Sequence, residues 1–213
     1  MKKTLIIACD GEAASGKSTG AKLISKKFKL LLINSGLFYR YASKLIIEKK
    51  PKKIVPFLKK SFAKTTYKKI ASLKLHSQKI SRHVGYLAKK KEVRSIINKI
   101  QKDIIKKNNR ICLEGRDIAS KILNKNPKYD LAFYFKCNNK VASYRRWIDL
   151  KKKVSLVDVR KSLKNRTKMD KKRKNSPLIK VKDAILVQTD KLNKKEVLAK
   201  MSKAIEKVLK NKY

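Results

Sequence analysis

Gly11-Glu12-Ala13-Ala14-Ser15-Gly16-Lys17-Ser18 satisfies G-x-x-x-x-G-K-[ST] at every defined position. It follows an apolar run, Leu5-Ile6-Ile7-Ala8-Cys9, and opens a stretch of helical character from Thr19 to Phe28. Strand, glycine-bearing turn and helix in that order form the context in which the pattern has a mechanism. The glycines let the backbone curl, so that successive N–H groups converge on phosphate oxygens. The positive end of the following helix adds to the attraction. Lys17 is placed to reach the β- and γ-phosphates, and the Ser18 hydroxyl to ligate Mg²⁺. An ordinary glycine-containing turn is the competing reading, and the flanking strand and helix weigh against it. The chain is expected to bind a nucleoside triphosphate through Gly11 to Thr19.

Further apolar runs suited to buried parallel strands follow the first, at 4–9, giving 30–33, 111–114, 131–135 and 184–188. Helical patterns separate them, the clearest carrying Val197, Met201, Ile205 and Val208 on one face. This alternation predicts an α/β fold: a doubly wound, five-stranded parallel sheet flanked by helices, with ligands at the carboxyl ends of the strands. A chain of 213 residues accommodates one such domain with small excursions. Two connections are longer than a crossover needs. The first implies a helical, substrate-binding insertion at 51–90, and the second, very basic from Lys164 to Lys182, a lid at 152–178. Residues 1–50, 91–151 and 179–213 are left as the core.

The charge balance is extreme, with 60 Lys+Arg against 15 Asp+Glu and a net +45. Such a balance normally suggests nucleic acid or an anionic membrane. Here the lysines are scattered over nearly the whole chain, aromatic residues are few, and no nucleic-acid motif is present, so no specific nucleic-acid partner is expected. No apolar segment approaches membrane-spanning length. Met1-Lys2-Lys3 with its short apolar run mimics the start of a signal peptide, but Asp10 ends the run too soon. Three cysteines without metal-ligand spacing fit a reduced, cytoplasmic setting. The ten arginines are more informative. The ten-residue blocks without lysine, 31–40, 111–120 and 141–150, each hold arginine. Arginine offers the bidentate fork for phosphate that lysine cannot copy.

These arginines sit in recognisable groups. Ser35-Gly36-Leu37-Phe38-Tyr39-Arg40 follows the second strand, with Ser35 and Tyr39 one helical turn apart. Glu114-Gly115-Arg116-Asp117 follows the third. Arg166, Asp170 and Arg173 are spaced i, i+4, i+7, so a helix would put all three on one face, poised to close over ribose and phosphates. Lys171, Lys172 and Lys174 beside them are expected to be solvated.

With Val93-Arg94, Ala142-x-x-Arg145-Arg146 and the ending Ser176-Pro177-Leu178, these elements resemble bacterial cytidylate kinase from residue 1 to about 205. The resemblance implies transfer of the γ-phosphoryl group of ATP to CMP or dCMP, with Mg²⁺, by a monomeric nucleoside monophosphate kinase. It implies that Arg40 and Arg116 hold the acceptor phosphate, and that Arg94 and Asp117 contact the cytosine end. Tyr39 and Asp170 would help place the sugar, with Ser35 in the same acceptor motif. Arg166 and Arg173 would enter from the lid, and Arg145 and Arg146 would lie on the ATP side. Lys17, Arg116, Asp117, Arg166 and Arg173 are the expected catalytic set. Asp117 has a second reading, as a cap of the turn after its strand. The sequence departs from the family at Asn34, Glu114, Met169 and Gly85, and its insertion is short. Two alternatives stay open: a related P-loop kinase with another acceptor, and a basic nucleic-acid-binding P-loop protein.

Overall fold

The computed structural model describes residues 4–212; Met1-Lys2-Lys3, the mimic of a signal-peptide start, and Tyr213 lie outside the described residues. The chain divides into two compact units, residues 1–33 with 108–213, and residues 34–107.

The first unit is built on a sheet of five strands: β1 (Leu5–Gly11), β2 (Leu31–Asn34), β3 (Arg110–Glu114), β4 (Leu131–Lys136) and β5 (Ile185–Gln188), in the order β2-β3-β1-β4-β5. β1 pairs in parallel with β3 and with β4, and β4 in parallel with β5. β1 is central and wholly buried, which is why Leu5 to Cys9 form a continuous apolar run rather than an alternating one. Helices α1 (Lys17–Lys27) and α9 (Lys194–Asn211) pack together over this sheet. Ala21 and Ile24 of α1 and Val197, Met201 and Ile205 of α9 join Leu5, Ile7, Cys9, Phe133 and Phe135 in one core. α9 begins on a full capping box, in which Asn193 and Glu196 satisfy each other's backbone N–H groups.

Two more helices, α7 (Asn139–Asp149) and α8 (Leu156–Lys172), pack together around Ala13, Cys137, Ala142, Val159 and Leu163. α8 is the expected lid helix, but it stops one residue before Arg173, whose backbone is extended at φ −66°, ψ 135°. Arg173 is therefore not on the helical stripe with Arg166 and Asp170. The reason is local. The chain reverses through Ser176, at φ 55°, and Pro177, and the Leu178 N–H bonds back to the Asp170 carbonyl at 2.8 Å. That bond closes the helix end where another turn would otherwise continue.

The second unit is helical, with α2 (Ser35–Lys49), α3 (Ile54–Ala63), α4 (Tyr67–Ser72), α5 (Gln78–Leu87) and α6 (Lys91–Lys106). It is larger than the 51–90 stretch expected from spacing, because α2 packs on α4, α5 and α6, and α3 on α6. Phe38, Leu58, Phe62, Ile70, Leu75, Leu87 and Ile97 form its buried interior.

Candidate active site

The loop between β1 and α1 is shaped by two glycines. Gly16 caps α1 in the left-handed region, at φ 78°, where a side chain would be strained. A Cβ on Gly11 would lie 2.5 Å from the Phe135 carbonyl oxygen, so only glycine lets β1 pass β4 this closely. Between them the loop is tied down by Glu12 N–H to Phe135 O at 3.1 Å and by Ser15 Oγ to Glu12 O at 2.9 Å. Thr189 Oγ1, just past β5, donates to Ser15 O at 3.1 Å. Arg145 on α7 in turn donates to Thr189 O at 2.9 Å. Arg145, expected on the nucleotide side, anchors in this structure the segment that braces the loop. Arg146 is half-buried on the same helix. α1 has no side-chain cap and no acid in its first turn, which leaves its N-terminal amides for an anion.

At the start of α1, Lys17 is buried and its ammonium lies 3.1 Å from Glu114 Oε2. Ser18 Oγ donates to the same carboxylate oxygen at 2.6 Å. Parallel pairing of β1 with β3 sets Cys9 beside Glu114 and so brings β3's last residue to the loop. Burial pushes the Glu114 carboxyl up, but Lys17, the Ser18 hydroxyl and Arg116 outweigh it and hold the group below its usual value. Burial pulls Lys17 below its ordinary value, against the charge of Glu114. Glu114, read from sequence as part of a motif and a departure from the family, is thus the partner of both Lys17 and Ser18.

Beyond Glu114 the chain carries Arg116 and Asp117 into a short π-helical turn, Ile118–Ile122. The Asp117 side chain makes no cap bond to that turn, although its carbonyl accepts from the Lys121 N–H at 2.9 Å. The Asp10 carboxylate, at the end of β1, caps it instead, accepting from the Ile118 and Ala119 N–H groups at 2.9 and 2.8 Å. Asp117 accepts from Arg173 at 3.2 Å, and Arg116 Nε donates to Asp170 Oδ2 at 2.9 Å. Arg173 also lies 3.6 Å from Asp170, so two arginines and two carboxylates form one largely buried cluster. Arg173 reaches it from beyond the helix, held by its Nε–H bond to the Ser176 carbonyl. Arg166 is exposed on α8, one turn before Asp170. Lys171, expected to be solvated, pairs with Glu12 at 2.6 Å.

Within the second unit, Ser35, Tyr39 and Arg94 are buried, and the Arg94 guanidinium lies over the Tyr39 ring at 5.8 Å. Arg40, one residue on, donates to the Leu75 carbonyl at 3.1 Å and to Ser81 Oγ at 3.0 Å. Leu75 and Ser81 carry no sequence signal for this role. Asp10 carried a weak one, as a carboxylate closing an apolar strand immediately before the loop.

Asp10 is 3% exposed, and burial, opposed by its two backbone donors, raises its pKa to about 6. Its folded value lies above its unfolded one, so the folded state binds the extra proton and stability falls as pH rises from about 4 through about 6. Against Asp10→Asn, which lacks that titration, the wild-type chain should lose about 1 kcal/mol of relative stability between pH 5 and pH 7. Urea titrations of both proteins at the two pH values check this, and a difference that does not move with pH contradicts it.

A sequence profile of the cytidylate kinase family matches residues 7–207. The chain is 31% identical to the cytidylate kinase of Clostridium tetani (strain Massachusetts / E88), over 96% of this chain and 95% of that one. It is 33% identical to the cytidylate kinase of Fusobacterium nucleatum subsp. nucleatum, over 96% and 98%. Among solved structures, an uncharacterised protein from Eubacterium ventriosum shares the fold with a TM-score of 0.59, at 15% identity over 96% of this chain and 99% of that one. With a profile covering nearly the whole chain and relatives matched end to end, the chain belongs to the cytidylate kinase family.

Proposed function

We propose that the chain transfers the γ-phosphoryl group of ATP to CMP or dCMP, giving ADP and CDP or dCDP. The observation that carries this reading is the Arg116–Asp170–Arg173–Asp117 cluster, in which Arg116 and Asp117 directly follow the strand that ends on Glu114, the partner of Lys17 and Ser18, and Asp170 and Arg173 come from the end of α8. A phosphate-binding loop alone serves ATPases and GTPases equally; a second set of arginines and carboxylates suits a second nucleotide.

The loop residues Gly11 to Thr19 bind the donor through backbone N–H groups and the α1 N-terminus. Lys17 moves from Glu114 to the β- and γ-phosphate oxygens as they arrive. The Ser18 hydroxyl and the Glu114 carboxylate, 2.6 Å apart, are hard oxygen donors of the kind that hold Mg²⁺ together with nucleotide phosphates, so they fit that ion. Held there by Ser18 and Glu114, the ion would supply neutralisation of nucleotide phosphate charge. Arg116 releases Asp170 to take the acceptor phosphate, and Asp117 takes the cytosine end. Arg166 and Arg173 neutralise charge on the transferring group, while Asp170 turns to the sugar. Arg145 and Arg146 support the donor side. In the second unit, Arg40 binds acceptor phosphate, Arg94 the base and Tyr39 the sugar, with Ser35 in the same acceptor motif. Phosphoryl transfer asks little covalent chemistry of a protein, so positioning and charge carry the rate.

We further propose a monomeric, cytoplasmic enzyme without a specific nucleic-acid partner. No helix among the described residues is long and apolar enough to cross a membrane.

Coupled ADP release measured with CMP, dCMP, UMP, AMP and GMP tests the reading. CMP and dCMP should be the best acceptors, and faster turnover of AMP or GMP would overturn the assignment. Arg40→Lys should raise KM for CMP about tenfold and lower kcat, with KM for ATP nearly unchanged, because a point charge replaces a planar fork. Equal weakening of both substrates would remove Arg40 from the acceptor site.

A further inference from the structure

A phosphate-binding loop must receive several negative charges, yet the second residue of this one is a carboxylate. Glu12 is held in place from both sides, its N–H on Phe135 O and its carbonyl accepting from Ser15 Oγ. Its side chain is 13% exposed, so solvent screens its charge poorly. Tyr134, buried on β4, shows the local bias: burial and then the charges of Glu12 and Asp10 push its hydroxyl up to about 12. Left uncompensated, Glu12 would oppose a polyphosphate on the neighbouring amides.

Compensation comes from one lysine among fifty. Lys171 Nζ lies 2.6 Å from Glu12 Oε1, reaching the loop from the last turn of α8. The lysine itself is half exposed, so the pair adds little to folding stability, and stability does not account for it. Its position in the chain is more telling. The preceding residue, Asp170, holds Arg116, so a single turn of α8 engages both the arginine cluster and the phosphate loop.

We propose that Lys171 is a positioning residue for the donor nucleotide: it neutralises Glu12, and the loop accepts a polyphosphate with full affinity only while this end of α8 is docked on it. The proposal rests on the reading of ATP as donor. Lys171 acts through Glu12 and not through a phosphate contact of its own, and this separates it from the arginines of the lid.

Calorimetric titration of ATP with Mg²⁺ into the full chain tests this, using wild type, Lys171→Gln, Lys171→Arg, Glu12→Gln and the Glu12→Gln/Lys171→Gln double variant. Lys171→Gln should weaken ATP binding by about tenfold, the scale of one uncompensated charge near the ligand. Lys171→Arg should regain most of the loss. The double variant should return to within about threefold of wild type, because the charge needing compensation is gone. CMP affinity, titrated separately, should hardly move with Lys171→Gln. A double variant as weak as Lys171→Gln would overturn the proposal, since the lysine would then act on phosphate directly or through α8 itself. Lys171→Gln binding ATP like wild type would overturn it too. Wild-type chain that binds no ATP would instead overturn the donor assignment, so the two failures are distinct.

Discussion

Lys17→Met is expected to lower turnover by a factor of about 10²–10³ or more, because under the proposed function it deletes a charge that stabilises the transferring phosphoryl group. The structure adds a second consequence. Glu114 is 2% exposed and pairs with Lys17, so the substitution strands a buried carboxylate and should cost about 3 kcal/mol of stability. Lys17→Met/Glu114→Gln separates the two effects. With both charges gone and the Ser18 hydroxyl still able to bond the amide oxygen, most of the stability should return while turnover stays lost. Urea unfolding and steady-state kinetics on the same preparations provide the check. Recovery of turnover in the double variant would show that Lys17 serves the fold and not the reaction. Near wild-type turnover in Lys17→Met would remove the loop from the active site altogether.

Asp170→Asn is expected to lower turnover by about a hundredfold, more than Lys172→Gln or Lys174→Gln, because it loosens Arg116 and Arg173 together. The amide oxygen can keep one guanidinium but not both, and misplacement of either arginine by an ångström is enough for a loss of this size. ATP together with CMP should also slow cleavage after basic residues in 164–174, since a stretch engaged with two nucleotides opens less often. A harmless Asp170→Asn, with proteolysis indifferent to nucleotides, would leave residues 152–178 as a basic surface segment without a catalytic role.

The inner strands β1, β3 and β4 were readable because burial on both faces demands continuous apolar runs, and each of the five runs became a strand within a residue or two of its expected end, the more exposed edge strands β2 and β5 included. The loop was readable because phosphate binding constrains residue type and spacing at once. Helical spacing served well where the helix continued, as for Val197, Met201 and Ile205, all buried on α9. It failed at Arg173, where the Leu178 N–H to Asp170 carbonyl bond ends α8, and periodicity contains no information about that stop. The lysines were illegible for the opposite reason. In a chain with fifty of them, nothing local distinguishes Lys171, paired with Glu12, from its solvated neighbours.

The sequence by itself determined the α/β order, the phosphate loop and the residue types that mark a nucleotide kinase, because these follow from local patterns of apolarity, glycine and charge. The tertiary structure alone decided the partners. Glu114 meets Lys17 and Ser18 because parallel pairing sets the ends of β1 and β3 side by side. The Asp10 carboxylate, and not that of Asp117, caps the turn that starts at Ile118, which leaves the Asp117 side chain for Arg173. Buried charges and backbone donors choose partners by proximity in space. Residues more than a hundred positions apart, such as Asp10 and Ile118, become neighbours only when the sheet has formed.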